Sequence, residues 1–264
     1  MAKDYDLVII GGGTGGYVAA IRASQLGLKT AVVEKEKLGG TCLHRGCIPS
    51  KSFLKSAKVY KTVKESAKFG VMLKEPELDF GKVMERKNSI VTRLHQGVQY
   101  LMKKGKIDVY YGTGRILGPS IFSPLPGTVS VEMKEGGENE ILLPKYVLIA
   151  TGSRPKALSG LEADGEKILT SDHALEMEKL PESILIIGGG VIGIEWASML
   201  SDFGVKVTVV EYADRILPTE DEDISREMAK ELKKRGVQIF TNALFLPESL
   251  EKGREVSLDI EQGG

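Results

Sequence analysis

The stretch YDLVIIGGGTGGYVAAIRASQLGLKTAVVE, residues 5–34, decides the fold. Its apolar run over residues 5–10 reads as a strand. Gly11-Gly12-Gly13-Thr14-Gly15-Gly16 reads as a tight turn, residues 17–26 as a helix, and residues 30–33 as a second strand ending on Glu34. The pattern returns as ILIIGGGVIGIEWASMLSDFGVKVTVVE, residues 184–211. The first glycine and the closing acid are 23 positions apart in both copies, Gly11 to Glu34 and Gly188 to Glu211. One G-x-G-x-x-G is a weak signal in a glycine-rich chain, where chance supplies about 0.4 matches. Two copies, each with strand, helix, strand and acid, form an internal repeat at domain scale.

The spacing has a chemical reason. The first glycine (Gly11, Gly188) permits the strand-to-helix turn. The second (Gly13, Gly190) lets backbone approach a pyrophosphate, and the third (Gly16, Gly193) lets the helix pack close to the strand. Phosphates then meet free N–H groups at the positive end of the helix. The acid accepts from ribose hydroxyls and repels a 2′-phosphate. Tyr212-Ala213-Asp214 follows Glu211 with Arg215 and no basic cluster, which favours NAD over NADP. The bland alternative is a glycine-rich turn that binds nothing.

Working outward, residues 50–69 read as one long helix. Residues 80–104 read as another, with Ile90, Leu94, Val98 and Leu101 on one stripe. Residues 108–149 read as antiparallel strands with turns at Gly112-Thr113-Gly114, Ser123-Pro124-Leu125-Pro126-Gly127 and Lys134-Glu135-Gly136-Gly137. A last strand, residues 146–149, ends in Ala150-Thr151-Gly152-Ser153-Arg154-Pro155. Residues 256–264 read as a hairpin. The predicted fold class is α/β, with two Rossmann-like dinucleotide-binding domains, the first carrying an inserted antiparallel β meander. The predicted domains are residues 1–152 and 153–264.

Composition narrows the functions. The 264 residues are 42% hydrophobic, with 36 basic and 36 acidic side chains, enough for one large domain or two ordinary ones. A zero net charge without basic runs speaks against nucleic acid or an anionic membrane as partner. No apolar run approaches the roughly 20 residues of a membrane span. The start, MAKDYDLVIIGGG, does not read as a signal peptide. The expected setting is soluble and cytoplasmic, where a disulfide is seldom a staple.

The only two cysteines sit in GGTCLHRGCIPSK, residues 39–51. In a regular helix, Cys42 and Cys47 would have Cα atoms roughly 8 to 9 Å apart, beyond the reach of a disulfide. A bonded pair therefore needs a bent segment, and Gly46 supplies the freedom. Pro49 suits the first turn of the next helix, which puts Cys47 near a positive helix end that favours a thiolate, with Lys51 on the same face. Arg45 reads as a solvated surface side chain. Zinc would need four ligands, and only His44 is near. Two free buried cysteines are the ordinary alternative. A redox pair is favoured by its place just beyond a dinucleotide loop, since a dithiol is a natural electron acceptor.

Gly11 to Gly16, Glu34, GGTCLHRGCIPSK, Gly112-Thr113-Gly114, ATGSRP and Gly188 to Glu195 together resemble the flavin-dependent pyridine nucleotide–disulfide oxidoreductases. Glutathione and mercuric reductases share the cysteine spacing but generally use NADP, which Glu211 argues against. GVIGIEWASML and EYADRILPTEDEDIS resemble the branch that reoxidises dihydrolipoamide, carried on the lipoyl domain of an acyltransferase, in bacterial 2-oxo acid dehydrogenase complexes. The resemblance implies FAD on Gly11, Gly13, Gly16, Glu34, Lys35, Gly40, Thr41, Gly114, Ala150, Thr151 and Gly152, with Lys51 near the flavin N5. It implies NAD on Gly188, Gly190, Val191, Ile192, Gly193 and Glu211, with Glu195 near the nicotinamide. Cys42 would exchange with lipoamide and Cys47 would contact the flavin, so the catalytic set is Cys42, Cys47, Lys51 and Glu195. No metal is expected.

His44-Arg45 stands where the family has Asn-Val, and His44 is expected near solvent rather than as the catalytic base. The family's chains run past residue 264, into a second flavin-contacting motif, a dimer-interface domain and a His-Glu acid–base pair. His44, His95 and His173 are the only histidines here, none in a His-Pro motif followed by Glu. The sequence is thus expected to be the N-terminal part of a homodimeric enzyme, with weakened flavin binding and little turnover alone. Two other functions stay open: a non-catalytic dinucleotide-binding module, and an NADH diaphorase that does not need the thiols.

Overall fold

A computed structural model describes residues 2–118 and 127–263. The turn expected at Ser123 to Pro126 lies outside the described residues. The elements run β1 Lys3–Ile10, α1 Thr14–Gln25, β2 Thr30–Glu34, α2 Gly40–Arg45, α3 Cys47–Lys64, α4 Phe80–Lys104, β3 Asp108–Ile116, β4 Val129–Met133 and β5 Glu140–Ile149. They continue with α5 Ser171–Ala174, β6 Ser183–Ile187, α6 Val191–Phe203, β7 Lys206–Val210, α7 Glu222–Lys234, β8 Gln238–Phe240, β9 Ala243–Phe245, β10 Glu251–Lys252, β11 Val256–Ser257 and β12 Ile260–Gln262. Among the described residues no helix is long and apolar enough to cross a membrane.

The chain forms two compact units. The first holds residues 1–49 and 88–154, the second residues 50–87 and 155–264. In the first, β3, β2, β1 and β5 lie side by side in parallel, with Val8 opposite Ala31 and Val147. β1 is apolar without alternation because both its faces are buried. Val8 and Ile10 point to a core with Tyr5, Ala31, Val33, Tyr110, Val129, Val131 and Leu142, while Ile9 packs with Ala20, Val32, Leu43, Val98 and Met102. β4 closes the sheet into a barrel by pairing antiparallel with the far half of β3 and the near half of β5. The predicted meander is therefore real, but its outer strands continue into the parallel sheet.

In the second unit β6, β7 and β8 form a parallel sheet. Here α6 buries Ile194, Trp196, Ala197, Met199, Leu200 and Phe203. Residues 50–87, expected inside the first domain, pack in this unit. Phe53 and Ala57 of α3 join the α6 core, and Phe53 stacks on Phe80 with ring centroids 6.2 Å apart. The cause is hydrophobic. Phe53, Leu54, Ala57, Phe80, Val83 and Met84 of this excursion pack on the core that holds Trp196, Ala197 and Phe203.

Three finer expectations change. The helix expected over residues 50–69 starts at Cys47 and ends at Lys64. A short 3-10 turn, Ser66–Phe69, follows and stops at Gly70, whose φ is +76°. On α4, Val98 and Met102 are buried whereas Leu94 and Leu101 are exposed, so the buried stripe is narrower than the apolar one. The hairpin expected at the chain's end draws on earlier residues. β11 pairs back to β10, and β12 pairs with β9.

Candidate functional site

The two glycine turns have one architecture. Gly13 and Gly190 are the N-caps of α1 and α6, both in extended backbone. Neither helix has a side-chain cap or an acid in its first turn. Uncapped N–H groups and the helix dipole make such a terminus an anion site. A Cβ on Gly16 would fall 1.8 Å from the Gly11 carbonyl oxygen, and one on Gly193 2.1 Å from that of Gly188. Only glycine lets strand and helix come this close.

Each closing acid holds its own turn. Glu34 Oε2 accepts from the Gly12 N–H at 2.7 Å and Oε1 from the Glu36 N–H at 2.7 Å. Glu211 Oε2 accepts from the Gly189 N–H at 2.5 Å and Oε1 from the Ala213 N–H at 2.7 Å. The repeat extends beyond what the sequence match reveals. The Gly39 N–H donates to the Gly12 carbonyl and the Leu217 N–H to that of Gly189, both at 2.8 Å. Leu38 and Ile216, each 1% exposed, pack beneath these turns. Sequence spacing hides this, because the two segments follow their acids at different distances and match at neither position.

Around the first turn the structure gathers most of the expected residues. Gly40, with φ +61°, lies against Gly13. The Ala150 N–H donates to the Ile10 carbonyl at 2.8 Å, which sets residues 150–152 beside Gly11. Thr41 and Gly152 are exposed. Lys35 points outward, 4.0 Å from Glu36. Gly114 has a packing reason of its own, since a Cβ there would press Ile10 and Val33 at 3.2 Å.

The cysteine segment is bent as bonding requires. α2 ends at Gly46, whose φ of −145° and ψ of −119° break the helical run, and α3 starts afresh at Cys47. Both cysteines are free thiols in the structure, near enough for the Cys47 side chain to act on the ionisation of Cys42. Burial, then the Cys47 side chain, pushes the Cys42 thiol above its ordinary pKa. The Cys47 N–H and the Thr14 hydroxyl oppose this. Cys42 is half-buried and Cys47 exposed. That ranking runs opposite to the one simple substrate access would give the roles implied by resemblance.

His44 corrects an expectation. It is half-buried rather than solvent-facing, and its Nε2 is 2.9 Å from the Leu38 carbonyl oxygen. His95, which belongs to no motif, meets the same oxygen through Nδ1 at 2.9 Å. Burial lowers the His44 pKa, and His95, Lys37 and Arg45 add repulsion, while the Leu38 carbonyl works the other way. Arg45 pairs with Glu36 at 2.5 Å.

In the second unit Lys51 Nζ lies 2.6 Å from Glu195 Oε1. Val191 and Ile192 are exposed, at 51% and 62%, in the first turn of α6. Arg215 binds Glu222 and the Pro218 carbonyl, both at 3.3 Å. Among the described residues no three His, Cys, Asp or Glu side chains gather as a metal site.

Two dinucleotide turns, each closed by an acid, with a paired dithiol beside the first, define a class. Residues 5–259 match the family model described as pyridine nucleotide-disulphide oxidoreductase, and the chain belongs to that family. It is 66% identical, over a 265-residue alignment that covers all of this chain, to a dihydrolipoyl dehydrogenase of Bacillus subtilis, of which it covers 56%. It is 45% identical over 243 residues to a dihydrolipoyl dehydrogenase of Zymomonas mobilis, covering 92% of this chain and 50% of that one. Among solved structures, LpdA from Mycobacterium tuberculosis aligns with a TM-score of 0.86 at 26% identity, over 98% of this chain and 55% of that one. The HOCl-induced flavoprotein disulfide reductase RclA from Escherichia coli aligns at 0.78 and 28% identity, over 98% and 54%. The chain thus spans about half the length of the relatives it matches.

Proposed function

We propose that these residues form the electron-handling part of a dihydrolipoyl dehydrogenase that uses FAD and NAD. Residues 1–152, of which 50–87 pack in the second compact unit, would be the flavin-binding part with the redox pair, and residues 153–264 would belong to the NAD-binding domain. The observation that carries the reading is the helix break at Gly46 that sets Cys42 and Cys47 on separate helices, in the compact unit that also holds the first glycine turn.

The turn fits a dinucleotide. Its backbone approach is too close for any side chain at Gly16, and the first-turn N–H groups of α1 have no side-chain cap. FAD would lie on Gly11, Gly13, Gly16, Gly40, Thr41 and residues 150–152, with its adenosine ribose at Glu34. Bound flavin would supply two-electron chemistry between a dithiol and a nicotinamide. NAD would lie on Gly188, Gly190 and Gly193. Glu211 would accept from its ribose, Val191 and Ile192 would offer apolar cover, and Glu195 would sit near the nicotinamide, oriented by Lys51.

In the thiol step, dihydrolipoamide closes its own sulfur–sulfur bond as the Cys42–Cys47 bond opens, and two electrons and two protons change hands. The raised pKa of Cys42 means that this sulfur needs a base to become a thiolate near neutrality. The physiological donor would be the lipoyl domain of the acyltransferase in a 2-oxo acid dehydrogenase complex.

Single-turnover half-reactions suit the test, because they separate the thiol step from the nicotinamide step. The chain is loaded with FAD without oxygen, then treated with dihydrolipoamide or with NADH. Flavin reduction by both in the parent, with Cys47→Ser losing only the dihydrolipoamide response, is the expected result. Equal reduction by dihydrolipoamide in both proteins would leave a diaphorase. Failure of both donors would leave a binding module.

A further inference from the structure

We infer that His44 and His95 are positioning residues that clamp the Cys42-bearing turn through one shared acceptor, the carbonyl oxygen of Leu38. The inference rests on reading Cys42 and Cys47 as the working thiols.

Both imidazoles stand 2.9 Å from that oxygen, His44 by Nε2 and His95 by Nδ1. A carbonyl oxygen carries no hydrogen, so both nitrogens must be donors. This fixes the tautomers: His44 holds its proton on Nε2 and His95 on Nδ1. The rings also touch, edge to face, with centroids 5.1 Å apart. Three pieces of chain meet at the one oxygen. His44 comes from α2, the short helix that carries Cys42, and His95 comes from α4. The acceptor residue Leu38 is 1% exposed, and the next N–H, on Gly39, donates to Gly12 in the glycine turn.

The clamp matters because α2 is short, with the Arg45–Glu36 pair as a second, solvent-exposed tie at the same end. It is six residues long, too short to be stable by itself. Gly39 starts it and Gly46 ends it, and neither offers a side chain. Leu43 is its one buried side chain. Within this helix His44 lies two positions beyond Cys42, so losing its bond loosens the segment that carries the thiol. Neither imidazole is placed against a reacting atom. Their action is through the backbone.

The geometry specifies isosteres. A glutamine amide can place its nitrogen where histidine has Nε2, and an asparagine amide where histidine has Nδ1. His44→Gln and His95→Asn should therefore keep the donor and remove the imidazole, whereas His44→Phe and His95→Phe keep a ring and remove the donor.

The test measures the alkylation rates of Cys42 and Cys47 in the reduced chain, by peptide mass spectrometry with iodoacetamide. The readout is the ratio of the two rates, which a general loss of stability moves little. His44→Phe should raise the relative rate at Cys42 about threefold to tenfold, the span of one net hydrogen bond. His95→Phe should raise it less, and His44→Gln should return it to the parental value. An unchanged ratio in His44→Phe, or no recovery in His44→Gln, overturns the clamp. Nitrogen-15 spectra of the parent histidines give a measurement independent of variants, and a proton on His44 Nδ1 rather than Nε2 would overturn it too. Oxidising the parent and looking for the Cys42–Cys47 bond by mass tests the redox reading separately, so either idea can fail alone.

Discussion

The turn at Gly11 and the turn at Gly188 are the same device in different surroundings. Both start at a glycine with φ near +106°, both are closed by an acid that accepts two backbone N–H groups, and both rest on a buried aliphatic side chain. Yet a Cβ on Gly11 would strike the Ala150 carbonyl oxygen at 2.1 Å, while among the described residues one on Gly188 would meet nothing within 4 Å. Gly40 crowds Gly13, and no described residue crowds Gly190. The local geometry belongs to the motif, whereas the enclosure belongs to the strands and loops brought in from far along the chain.

Alanine at the leading glycine should separate the two most strongly. Gly188→Ala faces only an unfavourable φ, at a cost of about 1–2 kcal/mol. Gly11→Ala adds a clash with backbone and should cost about 3–5 kcal/mol in all. Urea midpoints of the two variants measure the gap, and equal losses would show that Ala150 yields freely.

A smaller effect should separate the acids. Glu211→Gln keeps the shape and removes the charge, so the preference for NADH over NADPH should drop about tenfold, or roughly 1.4 kcal/mol. Glu34→Gln should leave that preference unchanged. Dissociation constants for both nucleotides, measured on both variants, decide it. If Glu34→Gln also shifts the preference, the roles assigned to the two turns are wrong.

The smallest difference is in pH response. His44 donates to Leu38, next to the segment that holds the first turn, and the second turn has Ile216-Leu217 in that place. The folded chain binds the His44 proton less readily than the unfolded chain does, chiefly because of burial. Stability should therefore fall as the pH drops through about 6.5, where the unfolded imidazole takes up its proton. His44→Gln should flatten that fall. Urea midpoints between about pH 8 and about pH 5 check the slope.

The same contrast explains what could be read from the sequence. The glycines, the acids and the helix break at Gly46 were legible because each follows from backbone sterics within a few residues. The reach from Ala150 to Gly11 and from His95 to Leu38 was not, since it depends on how distant segments stack. The packing of residues 50–87 was missed for a related reason. A helix shows which face is apolar but not which apolar surface will cover it.

The acids have one more consequence. Glu34 and Glu211 already occupy themselves with the backbone of their own turns, so these pockets keep their shape before any nucleotide arrives. Little conformational freedom is then left to lose on association, and the affinity can come from the phosphates and rings with only a small entropic toll.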